Sequence, residues 1–220
     1  MTLDLASCRS VVFDCDGVIL QSNSLKSDAF GAVLQEHDAK LVAAFVDWHK
    51  RTGGVSRFEK FTVFFRDMLQ VADWRARADR ACDAFGERVF EGLQTCPYVP
   101  GFERLIQALR ARDIPLAVNT GGAEVEIREV FRRRGLLDDF ELVLGSPQTK
   151  HDNMKALRDA GLVTGATAYL GDSELDYDLA REFAMAFIYV AHESEWSDGA
   201  ETTRNAGGTV VQDLGALIPL

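Results

Sequence analysis

Apolar residues along this chain arrive in two rhythms. Short apolar runs bounded by polar or glycine-rich turns lie at residues 9–13, 115–119, 140–145, 167–171, 186–191 and 209–212. Runs of this kind predict strands buried on both faces, as in a parallel sheet. Between the later runs the apolar positions switch to helical spacing. Phe102, Leu105, Ile106 and Leu109 form one stripe; Ile127, Val130 and Phe131, continued by Arg134, form another, closed by Gly135 as a helix stop. Alternation of strand and helix from residue 115 onward predicts an α/β fold with helices on both faces of the sheet.

Residues 23–93 break this alternation. Leu41, Ala44, Phe45 and Trp48 make one helical stripe, Phe58, Phe61, Phe65 and Leu69 a second, and Ala78, Ala81, Cys82, Phe85 and Val89 a third. Ser56 with Glu59 three residues on has the pattern of a capping box opening the second stripe. An all-helical insertion, residues 21–93, therefore interrupts an α/β core formed by residues 1–20 and 94–220. The Phe-rich stripes read as its packed interior.

A chain of 220 residues has room for that arrangement. A formal net charge of −10 argues against sequence-independent nucleic-acid binding, which needs a basic surface. It leaves an anionic small molecule open, because a metal ion and a few cations can reverse the potential locally. No basic stretch followed by an apolar run opens the sequence, and no apolar segment approaches the roughly 20 residues of a membrane span, so a cytoplasmic protein without a membrane partner is expected. Cys8, Cys15, Cys82 and Cys96 show no metal-like spacing and read as reduced thiols.

Candidate chemistry gathers at the ends of the apolar runs. The first ends on Asp14-Cys15-Asp16-Gly17. Two carboxylates so close repel each other unless a cation joins them or one keeps its proton. Gly17 allows a sharp turn there. A second acidic cluster, Gly171-Asp172-Ser173-Glu174-Leu175-Asp176, follows the run at 167–171. Oxygen ligands from two strand ends suit Mg²⁺. After the run at 115–119, Thr120-Gly121-Gly122 offers a hydroxyl and backbone N–H groups to phosphate oxygens at a helix start. Lys150, in a loop after the run at 140–145, is placed to neutralise a nucleophile and a transferring phosphate; Lys155, inside the following helix, competes for that role. Each feature alone is compatible with a capped turn or a solvated loop. Their joint placement at strand ends is what points to a site.

In this order and placement the four motifs resemble those of the haloacid dehalogenase superfamily, in its phosphoglycolate phosphatase and β-phosphoglucomutase-like subgroup with a helical cap. The resemblance implies a Rossmann-like core under a mobile cap. It implies that Asp14 attacks phosphorus and that Asp16 serves as general acid and then base. Mg²⁺ would be held by the Asp14 carboxylate, the Asp16 backbone carbonyl and Asp172, with Asp176 as a further or water-mediated ligand. Thr120 and the Gly121 N–H would bind phosphate oxygens, and Lys150 would balance charge. The chain departs from the commonest pattern at Gln21, where many members carry Asp, and at Gly121, where Asn is usual.

Asp16 separates the reactions within that superfamily, since a halide leaves without a proton whereas an alkoxide needs one. The resemblance therefore favours a phosphatase of small soluble phosphate monoesters, such as sugar phosphates, over a dehalogenase. A phosphosugar mutase and a non-catalytic binding module of the same fold are the alternatives. Gly54-Val55-Ser56-Arg57 is similar to the specificity loop of the mutases, whose Arg grips a phosphate, but Lys26 stands where they carry a hinge His. Arg57, with Lys60 and His49, is expected to meet a second anionic or polyol part of the substrate when the cap closes. His37, His151 and His192 take no role, and Arg132-Arg133-Arg134 reads as a solvated helix end.

Overall fold

The structure is a computed structural model that describes residues 5–218. Strand β1 (Ser10–Phe13) opens the fold. Helices α1 (Asn23–Val33), α2 (Ala39–Arg51), α3 (Arg57–Thr62) and α4 (Trp74–Thr95) follow before any second strand. Then come α5 (Phe102–Arg110), β2 (Leu116–Ala123), α6 (Glu124–Arg133), β3 (Leu142–Ser146), α7 (Lys150–Asp159), β4 (Thr167–Gly171), α8 (Glu174–Glu182), β5 (Ala186–Val190), α9 (Gly199–Asn205) and β6 (Thr209–Val211). The six strands make one parallel sheet in the order β3-β2-β1-β4-β5-β6. No helix among the described residues is long and apolar enough to cross a membrane.

The apolar runs become strands because helices cover both faces of the sheet. β1 and β4 are buried along their whole length. Val11 and Phe13 face a core completed by α5 and α6, through Phe102, Ile106, Ile127 and Phe131. Val12 and Tyr169 face the opposite core, built with Met154 and Leu157 of α7 and Leu179 of α8. Strand order reverses beside β1, where the chain winds one way through β2 and β3 and the other way through β4 to β6. Such a crevice at the carboxyl ends of the strands is where parallel α/β sheets place ligands.

The insertion between β1 and β2 is helical throughout, and its stripes meet in an aromatic cluster. Phe45 is fully buried, with Phe64 at 5.1 Å, Phe30 at 5.6 Å and Phe61 at 6.3 Å between ring centroids. Phe85 of α4 joins the cluster at 4.3 Å from Phe30. The Ser56 hydroxyl accepts the Glu59 N–H at 3.3 Å, which is the forward half of the expected capping box. The second stripe does not form one α-helix. After Thr62 the chain widens into a π turn over Val63–Met68, and the consecutive Phe64 and Phe65 are both buried there.

Three local expectations are corrected. Strand β2 runs on through Thr120, Gly121 and Gly122 to Ala123, past an irregularity in its pairing with β3, so the Thr-Gly-Gly segment lies in a strand end, one residue short of the helix. Lys150 is the first residue of α7 rather than a loop residue. Of the three arginines expected in water, Arg132 and Arg133 pair with Glu129 on α6, but Arg134 turns inward. Its guanidinium lies 3.9 Å from the Tyr98 ring centroid and donates to the carbonyls of Leu93 and Cys96, so it pins the return of the chain from the insertion to the core.

Phe45→Ala removes the ring that Phe30, Trp48, Phe61 and Phe64 pack against. It is expected to lower stability by about 3–5 kcal/mol in urea unfolding. A loss below about 1 kcal/mol would mean the aromatic cluster does not hold the insertion together.

Candidate active site

Three neighbouring strands, β2, β1 and β4, bring Thr120, Asp14 and Asp172 to one end of the sheet. Asp14 directly follows β1, and its N–H is held by Leu170 O at 2.9 Å across the ladder to β4. Its side chain is buried, and Oδ1 accepts from the Cys15 N–H at 2.6 Å and from Lys150 Nζ at 2.8 Å. Among the described residues Oδ2 accepts no hydrogen bond, so one carboxylate oxygen is anchored and the other is left for chemistry.

Lys150 reaches this point from the first turn of α7. Its ammonium also donates to Asp176 Oδ1 at 2.7 Å, and the side chain is fully buried. Burial alone would lower its pKa, but the charges of Asp14 and Asp176 outweigh it and raise it, so Lys150 stays protonated. Lys155, the rival in the sequence, is half exposed and pairs only with Asp152 at 3.4 Å. Asp176 is engaged on both oxygens: by Lys150 and the Tyr169 hydroxyl on Oδ1, and by the Ser173 hydroxyl and N–H on Oδ2. Ser173 and Asp176 close a reciprocal capping box at the start of α8. The structure thus makes Asp176 the orienter of Lys150.

Ligand oxygens of Asp14, Asp172 and Asp176 lie within 4.8 Å of one another, all buried. Burial, then the charges of Asp176 and Asp16, push the Asp14 carboxyl up to about 7 against the opposing pull of Lys150. Burial and the same crowding raise Asp172 well above the carboxylate range, although Asn23 donates to its Oδ2 at 2.7 Å. Fully ionised, the three buried carboxylates would face one ammonium with an excess of two negative charges, and burial resists that state unless a cation joins them. A divalent cation held by Asp14 and Asp172 would balance that excess, and hard oxygen donors of this kind suit Mg²⁺. Gly17, at φ 74°, lets the turn pass so close that a Cβ there would lie 2.2 Å from Asp172 Oδ2.

Asp16 turns away from this cluster toward the insertion. The Ser22 hydroxyl donates to its Oδ1 at 2.6 Å and Lys26 Nζ to its Oδ2 at 2.5 Å. Burial raises its pKa, but Lys26 and the two hydrogen bonds outweigh burial and hold it below the ordinary value. The sequence reading assigned no role to Ser22, Asn23 or Lys26. Ser22, the N-cap of α1, and Lys26, one turn on, face Asp16, while Asn23 between them faces Asp172.

Thr120 is fully buried, and its Oγ1 accepts the Gly122 N–H at 3.0 Å. Over it sits the loop between α2 and α3. A Cβ on Gly121 would lie 2.2 Å from Gly54 O, and one on Gly54 would lie 3.3 Å from Lys150 Nζ, so the insertion is closed on the strand ends in this structure. Arg57, Lys60 and His49 all line the cavity that holds Asp14 and Asp16. Arg57, however, is already taken. Its Nη1 and Nη2 donate to the two oxygens of Glu126 on α6 at 2.7 and 2.6 Å. Lys60 is buried, and its Nζ lies 2.6 Å from His49 Nδ1.

A family model described as haloacid dehalogenase-like hydrolase matches residues 8–183. The chain is 23% identical over 187 residues to a phosphorylated carbohydrates phosphatase of Thermotoga maritima, covering 82% of this chain and 84% of that one. It is 28% identical over 192 residues to a phosphoglycolate phosphatase of Rhodospirillum rubrum, covering 84% and 80%. The crystal structure of a β-phosphoglucomutase from Clostridium difficile superposes with a TM-score of 0.74 at 15% identity over 96% of this chain and 93% of that one, a likeness of fold.

The raised Asp14 gives a pH signature. Its native pKa of about 7 lies above the roughly 3.9 of an unfolded Asp, so between those values the native state binds the extra proton and stability falls as pH rises in metal-free protein. Mg²⁺ needs the ionised carboxylates. The rise in melting temperature on adding Mg²⁺ is therefore expected to be larger at pH 8 than at pH 6, and to vanish in Asp172→Asn. Equal rises at both pH values would place the ion elsewhere.

Proposed function

The chain belongs to the haloacid dehalogenase-like hydrolase family, and we propose that it is a Mg²⁺-dependent phosphatase of small soluble phosphate monoesters that works through an aspartyl-phosphate on Asp14. The carrying observation is the Asp14 carboxylate itself. One oxygen is fixed by Lys150 and the Cys15 N–H, and the other is unbonded in a cluster short of two positive charges.

In this reading Asp14 Oδ2 attacks phosphorus while the bonds to Oδ1 hold its aim. Lys150 keeps a fixed positive charge beside the transferring group, and Asp176 with Tyr169 fixes Lys150. Thr120 Oγ1 and the Gly121 N–H receive phosphoryl oxygens. The carboxylates of Asp14 and Asp172 with the Asp16 backbone carbonyl would hold Mg²⁺, and Asp176 supports them from behind. When bound, the ion supplies charge stabilisation to the phosphoryl oxygens. Asp16 is called on as acid when the ester oxygen leaves and as base when water cleaves the phospho-aspartate. Its contact with Lys26 favours the basic state, the one hydrolysis requires. Lys26 occupies the hinge place where the mutases it resembles carry a His, which supports transfer to water over transfer to sugar.

The cap is taken as residues 21–93, closed over the strand ends through Gly54. A cytoplasmic setting and a small phosphorylated metabolite as partner fit this reading. Cys15, Cys82 and Cys96 are free thiols, which accords with a reducing compartment.

Release of phosphate from p-nitrophenyl phosphate with Mg²⁺ tests the class. Asp14→Asn keeps the shape and removes the attacking charge, and turnover is expected to fall by a factor on the order of 10⁴ or more. EDTA is expected to abolish turnover. Ca²⁺, larger and looser in coordination, is expected to inhibit by misplacing the nucleophile. Sustained turnover by Asp14→Asn, or by fully chelated enzyme, would overturn the mechanism.

A further inference from the structure

The inference concerns the leaving-group half of the cavity and rests on the phosphatase reading. Three cations of the insertion line the cavity while largely screened from solvent: Lys26, Arg57 and Lys60. Each is answered by an acid of the core. Lys26 is bonded to Asp16 at 2.5 Å. Arg57 is bonded to Glu126 by two parallel hydrogen bonds, the arrangement that a guanidinium and a carboxylate match best. Its guanidinium is further held 5.7 Å from the Phe85 ring centroid.

Lys60 is answered at a distance. Its Nζ donates to His49 Nδ1 at 2.6 Å and to His49 O at 3.2 Å. Burial and the charges of Lys60, Lys26 and Lys50 push His49 down to about 2, so the ring is neutral. With Nδ1 accepting, the ring hydrogen is on Nε2, facing the Ser27 hydroxyl at 3.1 Å. That hydroxyl in turn donates to Glu195 Oε1 at 3.1 Å. Hydrogen bonds therefore connect Lys60 on α3 through His49 on α2 and Ser27 on α1 to a carboxylate in the loop after β5. Both ends of this connection, Lys60 and Glu195, line the cavity.

Helix α4 makes room for the Arg57 pair. A Cβ on Gly86 would lie 2.7 Å from Glu126 Oε1 and 2.9 Å from Arg57 Nη2. Glycine is a poor interior helix residue, and here its missing side chain is the space the pair occupies.

We propose that this half of the cavity receives an uncharged, polyhydroxylated leaving group and turns away one that carries a second anion, so that the substrate class is the monophosphates of neutral sugars and sugar alcohols. A second phosphate or a carboxylate would find Arg57 occupied and would face the charges of Glu126 and Glu195. Hydroxyl groups both donate and accept, and they can use the remaining Lys60 hydrogen and the remaining lone pairs of Glu195 together. The exposed Lys50 and Arg51 at the mouth draw anions in without choosing among them.

Three esters of one six-carbon skeleton test this: glucose 6-phosphate, 6-phosphogluconate and glucose 1,6-bisphosphate. kcat/KM for the first is expected to exceed the other two by about tenfold or more. Glu126→Gln keeps the shape and frees Arg57, so the ratio of bisphosphate to monophosphate kcat/KM is expected to rise about tenfold over wild type. Preference of the wild type for the acid or the bisphosphate, or an unchanged ratio in Glu126→Gln, overturns the proposal. Calorimetric binding of the same esters to Asp14→Asn ranks them without turnover. Equal or tighter binding of a second anion overturns the proposal even if no ester is hydrolysed. The expected order of binding, with no hydrolysis of p-nitrophenyl phosphate by wild type, upholds the proposal and overturns the phosphatase reading instead.

Discussion

The buried ion triad of Asp14, Lys150 and Asp176 is the constraint around which the core is arranged. An ammonium with no exposure to water is tolerable only if its charge is answered at close range. One carboxylate at the end of β1 and one in the first turn of α8 answer it, so Lys150 ties β1 to the helix that follows β4 at the point where the sheet's winding reverses. Asp176 can do this only because Tyr169 and Ser173 fill its remaining lone pairs and leave it no freedom to turn. The chain of supports ends on Asp14, whose second oxygen is the one group of the triad that nothing holds. Rigidity in three residues thus fixes where the free oxygen of one of them points.

The same triad explains why the cap must be built as it is. A site with an excess of negative charge attracts any cation within reach, and the insertion supplies Lys26, Arg57 and Lys60 to its rim. Pairing Lys26 with Asp16 and Arg57 with Glu126, and linking Lys60 through His49 and Ser27 to Glu195, answers their charge and at the same time joins insertion to core. Closure and charge balance are then one device, and the Gly54 contact over Gly121 is its consequence.

Much of this was legible in the chain because it follows from local rules. Continuous apolar runs read as strands since β1 and β4 are covered on both faces, and the carboxylates that end them were visible as abrupt breaks in those runs. The insertion was visible as a change of period after the first strand. Helix α1 was missed. Its hydrophobic face is short and interrupted by Lys26, which lines the cavity, Ser27, which bonds Glu195, and the exposed Asp28. The π turn was missed because Phe61, Phe65 and Leu69 fit an α-helical period. Only the burial of consecutive Phe64 and Phe65 reveals the wider turn.

The role of Glu126 lay beyond any local rule. It stands 69 positions from Arg57, on the exposed-looking first turn of α6, where an acid is expected merely to favour the helix dipole. Arg57 itself was legible as a residue of interest, since the two glycines before it promise close approach. Its occupancy was not, because pairing across an insertion depends on how the cap docks and not on spacing. Gly86 carried the one faint trace: a glycine in the middle of an otherwise good 22-residue helix has no local reason to be there. A helix that gives up propensity at one position does so for something outside itself, and what fills that space in the folded protein is the carboxylate of Glu126 and the guanidinium of Arg57, both of which line the cavity.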